Sequence, residues 1–207
     1  MDKKPLIAIP IGDPAGVGPE IVAKALASNE VESTARCIVV GDKKIMQNAI
    51  NITGTNLKIN TVEDPEEGIY ENGILNIIDL NNIDMDKFKF GEVNPMCGKA
   101  AFEYIKKSVE LALNKKADAV ATTPINKESL KAANINYIGH TEIFGALTNT
   151  PDPLTMFEVR GLRVFFLSRH VSLKKACDMV TEERIIDYVK RCSAVLKTLG
   201  VTDGTMA

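Results

Sequence analysis

The chain has 207 residues, 45% of them hydrophobic and 25% charged, with a formal net charge of −2. This is the composition of an ordinary globular protein, long enough for one good core or one and a half domains. The near-balanced charge excludes an electrostatic case for nucleic acid or a membrane surface, and no apolar run approaches the roughly 18–20 residues of a membrane span.

The basic start Met1-Asp2-Lys3-Lys4 precedes an apolar run that ends at Pro10-Ile11-Gly12, too short for a signal peptide, so a cytoplasmic location is expected. Pro5-Leu6-Ile7-Ala8-Ile9-Pro10 reads as a buried strand. Gly12-Asp13-Pro14-Ala15-Gly16-Val17-Gly18-Pro19-Glu20 follows as a glycine-rich turn, and Ile21, Val22 and Ala25 then fall at helical spacing. Pro19 suits a first helical turn, where its missing N–H costs nothing. Free N–H groups at such a helix start favour an anion, but a tight strand–helix turn without a ligand explains the glycines equally. The turn is neither G-x-G-x-x-G nor a P-loop, which would need Gly-Lys-Ser/Thr where this chain has Gly18-Pro19-Glu20.

Arg36-Cys37-Ile38-Val39-Val40 reads as a second strand, with a short helix over 43–50. Residues 51–96 are rich in Asn, Gly, Asp and Pro with brief apolar runs, as expected of one or two strands in a small excursion from the main sheet. Residues 98–115 form the clearest helix. Ala101, Phe102, Ile105, Val109, Ala112 and Leu113 make one apolar stripe, facing either the core or a second subunit. A central strand is expected over 118–123, a short helix over 126–133 and the start of another at 142–147.

Residues 154–159 and 162–167, joined through Arg160-Gly161, look like a hairpin, and Phe165-Phe166-Leu167 is apolar on both faces, as in a buried strand. Residues 172–179 are helical, and Thr181 can cap a second helix running to 199. The alternation of strands and helices predicts a mainly parallel α/β sheet. No linker, repeat or internal boundary divides residues 1–207. The four cysteines, at 37, 97, 177 and 192, are scattered and read as buried small hydrophobes.

Polar residues collect where strands end. Asp13 and Glu20 lie in the glycine turn, Thr122-Thr123-Pro124-Ile125-Asn126-Lys127 follows the strand at 118–123, and Ser168-Arg169-His170 follows Phe165-Phe166-Leu167. Gly139-His140-Thr141-Glu142 adds a fourth group in a loop between helices. In open parallel sheets the carboxyl ends of strands are where ligands bind. Lys127 is either a solvated charge or a point charge for a phosphate, and His140 either a cap neighbour or a ligand contact. Beside Arg169, His170 suits a neutral imidazole, the metal-binding form, though one histidine is no metal site. These residues by themselves point to a cytosolic α/β enzyme for a small anionic metabolite, or to a purely structural α/β domain.

Taken in order and spacing, the glycine turn at 12–20, Thr123-Pro124-Ile125-Asn126-Lys127, Gly139-His140-Thr141-Glu142 and His170 resemble the 4-hydroxythreonine-4-phosphate dehydrogenase family of vitamin B6 biosynthesis. The resemblance covers the whole chain, as the N-terminal portion of such an enzyme. It implies an isocitrate/isopropylmalate dehydrogenase-like α/β/α sandwich, cut before its C-terminal strands, and a homodimer with active sites at the subunit interface. It implies oxidation of 4-phosphohydroxy-L-threonine at the 3-hydroxyl by NAD or NADP, followed by decarboxylation, on the way to pyridoxal 5′-phosphate. A related 4-phosphorylated sugar acid (threonate or erythronate 4-phosphate) is the competing substrate, and a non-catalytic folded remnant the reading outside the class. By motif match His140 and Thr141 contact substrate and His170 is one ligand of a divalent metal (Zn, Mg or Co). Lys127 and Asp13 sit in family motifs and are inferred substrate contacts, while no catalytic or cofactor-binding residue is assigned. Family members continue into an Asn-Pro-His motif and a later His-Asp motif with two further metal histidines, so the 207-residue chain alone is expected to be inactive.

Overall fold

A computed structural model describes residues 4–206, and the chain divides into two compact units, Met1–Pro151 and Asp152–Ala207. In the first unit β1 (Leu6–Pro10), β2 (Arg36–Gly41), β3 (Lys58–Thr61), β4 (Ile74–Asp79) and β5 (Ala119–Val120) form one sheet in the order β3-β4-β2-β1-β5, every pair parallel. Its helices are α1 (Gly18–Leu26), α2 (Asn29–Thr34), α3 (Lys43–Thr53), α4 (Pro95–Leu113), α5 (Lys127–Ala132) and α6 (His140–Leu147), with a single 3-10 turn at Pro65–Glu67. Ile38, Val39 and Val40 of β2 and Leu75 and Ile77 of β4 are wholly buried. Such continuous apolar runs belong to inner strands of a parallel sheet covered on both faces.

Residues 51–96 are not an excursion. β3 is the sheet edge, and β4 lies inside it between β3 and β2. Asn76 is buried in mid-strand because its amide is fully used: Asn60 Nδ2 donates to its Oδ1 (2.8 Å), and it exchanges two bonds of 2.9 Å with the backbone of Ile69. A buried polar group costs little once it is paired.

Helix α4 carries more buried surface than one stripe. Cys97, Ala100, Tyr104 and Leu111 join the main core, while Ile105 and Val109 form a second cluster with Leu130 of α5 and Ile143 of α6. The stripe expected to face the core or a partner is thus largely covered by α5 and α6, and its last member, Leu113, is exposed. Strand β5 is shorter than 118–123. After Val120 the ladder continues with Ala121 N–H donating to the Ala8 carbonyl (2.9 Å). Further on, the Thr123 hydroxyl rather than a backbone group donates to the Pro10 carbonyl (3.0 Å), and Pro124 has no N–H to offer.

In the second unit β6 (Met156–Val159) and β7 (Leu162–Phe165) form an antiparallel hairpin through Arg160 and Gly161, both at positive φ, the pattern of a two-residue turn matched to strand twist. Helices α7 (Leu173–Asp178) and α8 (Glu182–Thr198) follow, α8 capped by Thr181, whose hydroxyl accepts from Arg184 N–H (3.2 Å). Phe165, Phe166 and Leu167 are only half-buried, against the expectation of a buried strand, because β7 pairs with β6 alone in a two-stranded sheet. Among the described residues of this unit Tyr188 and Cys192 alone are buried. Cys177, expected inside, is exposed, and all four cysteines are free thiols. Among the described residues no helix is long and apolar enough to cross a membrane.

Candidate functional site

Chain order places β1 between β2 on one flank and β5 on the other, so strand order reverses at β1 and its carboxyl end borders the crevice where doubly wound sheets bind ligands. The glycine turn leaves β1 here and spends much of its hydrogen-bonding capacity on the protein. Asp13 N–H donates to the Pro124 carbonyl (3.1 Å) and Gly16 N–H to the Asp13 carbonyl (3.0 Å). Ala15 N–H donates to Asp13 Oδ1 (2.8 Å). Two of its glycines are required by crowding. A Cβ at Gly12, where φ is +74°, would sit 2.3 Å from the Pro124 carbonyl oxygen, and one at Gly18 would sit 2.2 Å from that of Ile11. The turn is thus tightly packed against the loop after β5.

Asp13 is 3% exposed. Burial pushes its carboxyl above the usual carboxylate range, opposed by the bonds it accepts from Ala15 N–H and the Ser129 side chain. Ser129 was not evident as a site residue; the signal available was its place three residues beyond the Asn126 cap. Asn126 accepts from Glu128 N–H (2.8 Å) and Ser129 N–H (3.0 Å), which starts α5 and leaves Lys127 exposed on its first turn.

His140 is the first residue of α6, not part of a loop, so the helix begins two residues earlier than the apolar pattern suggested. Its half-buried ring packs near Phe144, centroids 6.3 Å apart. One nitrogen, Nε2, is buried without a hydrogen-bond partner. Burial lowers the imidazole pKa, opposed by the nearby Thr123 backbone, which favours the neutral ring. Thr141, half-buried, shares the first turn of α6. A hydrogen bond thus ties Thr123 to the end of β1, with Asp13 bonded to the same loop and Lys127 four residues along it.

His170 belongs to the second unit. It is exposed, with φ +51°, just past a segment whose carbonyls are held by α8: Arg184 Nη2 donates to Leu167 O (2.7 Å) and Tyr188 OH to Phe166 O. Among the described residues no three or more His, Cys, Asp or Glu side chains stand together so as to hold a metal. One exposed imidazole falls short of the about three protein ligands of a catalytic site, so these residues do not make a metal centre by themselves. A groove of about 90 Å³ lies at the opposite end of the sheet, by Lys4, Arg36, Cys37, Tyr70 and Ile74. None of the site residues lines it, and Arg36 there is engaged over the Tyr70 ring, 5.1 Å from its centroid.

A five-stranded parallel sheet with helices between its strands defines an α/β protein whose strand order reverses at β1, the place where such folds have their ligand crevices. Residues 33–207 match the family described as pyridoxal phosphate biosynthetic protein PdxA. The chain belongs to that family. It is 62% identical over 201 residues to a Fusobacterium nucleatum protein named "Putative D-threonate 4-phosphate dehydrogenase", covering 97% of this chain and 60% of the relative. A Clostridium botulinum protein of the same name is 59% identical over 207 residues, covering 100% of this chain and 62% of that one. The crystal structure of a 4-hydroxythreonine-4-phosphate dehydrogenase from Burkholderia phymatum matches with a TM-score of 0.88 and 38% identity, over 94% of this chain and 59% of that one. The chain therefore spans about three-fifths of the length of these relatives, which are named as dehydrogenases, a class of oxidoreductase.

Proposed function

We propose that this chain is the N-terminal portion of a cytoplasmic, homodimeric dehydrogenase that oxidises a 4-phosphorylated hydroxy acid with NAD or NADP and releases CO2 from the β-keto acid formed. The observation that carries the site is the buried, unpartnered Nε2 of His140, a polar atom left for a ligand beside the strand ends. This imidazole nitrogen exchanges a hydrogen bond with substrate. Thr141 adds a hydroxyl on the same helical turn, and Lys127 adds a positive charge suited to a phosphate. Asp13, buried and already engaged, holds the turn from behind. His170 is proposed as one ligand of a divalent metal such as zinc, magnesium or cobalt, whose coordination needs donors beyond those described here.

Two substrates divide the relatives. Proteins named for D-threonate 4-phosphate are 53–62% identical to this chain, and solved structures named for 4-hydroxythreonine-4-phosphate 32–38%. That difference favours D-threonate 4-phosphate, with 4-phosphohydroxy-L-threonine, a step toward pyridoxal phosphate, as the second reading. The test is NAD(P)H formation by the protein at its natural length, with added divalent metal, from each acid with and without its phosphate. The phosphorylated acid is expected to be preferred at least about tenfold in kcat/KM, equivalent to about 1.4 kcal/mol in the transition state. Equal rates without the phosphate, or no NAD(P)H from either acid, would overturn the proposal.

A further inference from the structure

The loop after β5 is fastened to the glycine turn at two successive residues. Thr123 is 7% exposed, and its hydroxyl donates to the Pro10 carbonyl at the end of β1 (3.0 Å). The Pro124 carbonyl accepts from Asp13 N–H (3.1 Å). The same two residues fill the space left by two missing side chains. A Cβ at Gly12 would lie 2.3 Å from the Pro124 carbonyl oxygen and 2.6 Å from the Thr123 hydroxyl, and one at Gly18 2.8 Å from that hydroxyl. Beyond this seat the chain has little slack. Ile125 packs against the cluster of Ile105, Val109, Leu130 and Ile143, and Asn126 caps α5 by accepting from Glu128 N–H (2.8 Å) and Ser129 N–H (3.0 Å). Lys127 comes next, exposed on the first turn of α5. Among the described residues no ion pair uses it.

We propose that Thr123 is a positioning residue: seated between Gly12 and Gly18, it fixes the start of α5 and so sets where the Lys127 charge stands for the substrate phosphate. An ammonium on a flexible stem gains from a fixed base, because its attraction to an anion falls with distance. The glycine turn then serves phosphate recognition through the loop it seats, instead of by cradling the anion with its own N–H groups. The phosphate contact of Lys127 rests on the function proposed above; the seat itself is a property of the ligand-free protein.

The test is the phosphate preference of the protein at its natural length: kcat/KM for the phosphorylated acid divided by kcat/KM for the same acid without its phosphate. Lys127→Gln is expected to lower this ratio about tenfold, through KM of the phosphorylated acid. Thr123→Val, which keeps the shape and removes the hydroxyl, is expected to lower it about threefold, and Thr123→Ser to restore it. In the double variant the ratio is expected to fall no further than in Lys127→Gln alone, because Thr123 acts on the phosphate only through Lys127. A purely structural role for Thr123 would slow both acids alike and leave the ratio unchanged, which would overturn the proposal. So would additive losses in the double variant, or a serine variant as impaired as the valine one. A Lys127→Gln protein that keeps the full preference would overturn it even if the valine variant does not fold. An unaltered protein without any preference fails the function proposed above and this proposal with it, whereas a preference indifferent to both substitutions fails this one alone.

Discussion

Asp13 places a carboxylate where water does not reach it and gives it hydrogen bonds but no cation. Its folded pKa is raised above the ordinary value of about 3.9. Between the two values the folded state binds more protons than the unfolded one, so stability falls as pH rises through that window and stays lower at neutral pH. Asp13→Asn keeps an acceptor for Ala15 N–H and removes the charge. It is expected to match or exceed the unaltered protein in stability at neutral pH and to lose the downward slope from about pH 4 upward. Asp13→Ala strands a buried N–H and is expected to lose about 1–3 kcal/mol. Urea denaturation across that pH range checks both. An asparagine variant as unstable as the alanine one would mean that the charge itself, not the acceptor, holds the turn.

Helix α4 shows what can be read from sequence at the scale of one element. Ala101, Phe102, Ile105 and Val109 announce one apolar face by their spacing. The other face is concealed by polar atoms satisfied inside the protein: Tyr104 OH donates to Asn82 Oδ1 (2.7 Å) and Ser108 Oγ to the Tyr104 carbonyl (2.8 Å). Periodicity sees residue type and not pairing, so such a helix reads as half-exposed. The same blindness hid Asn76 in β4 and Ser129 in α5, whereas Thr123 and His140 were legible because they are polar, close to strand or helix boundaries and set in recognisable motifs. Gly98, also on α4, approaches α5 so closely that a Cβ would lie 2.0 Å from the Ser129 carbonyl oxygen and 2.6 Å from Leu130 N. Gly98→Ala is therefore expected to push α5 outward and to cost about 1–3 kcal/mol in a denaturant titration. An unchanged midpoint would show that α5 yields without penalty.

The two units differ in how much of themselves they bury. The first has two apolar clusters built on a five-stranded sheet, while the second leaves Phe157, Leu162, Leu173, Ile185, Ile186 and Val189 exposed. A piece of that size with so little buried apolar surface does not offset its conformational entropy. Residues 4–151 are expected to unfold cooperatively by themselves. Residues 152–207 alone are expected to show weak near-ultraviolet dichroism and to bind a hydrophobic dye. A sharp, reversible thermal transition in the isolated 152–207 piece would contradict this.

The bond from the Thr123 hydroxyl to the Pro10 carbonyl also sets an order in time. Strand β5 meets β1 through only two register pairs, Ile7 with Ala119 and Ala8 with Val120. The bond that locks it joins residues 113 positions apart. Closing so long a loop costs entropy before any contact rewards it, so the local helices and the β1–β2 pair have the kinetic advantage. Thr123→Val is accordingly expected to accelerate unfolding and leave the refolding rate nearly unchanged, as stopped-flow chevrons would show. A slowed refolding limb would place this bond in the nucleus. The strand that borders the ligand crevice is then the last to arrive during folding and the first to leave.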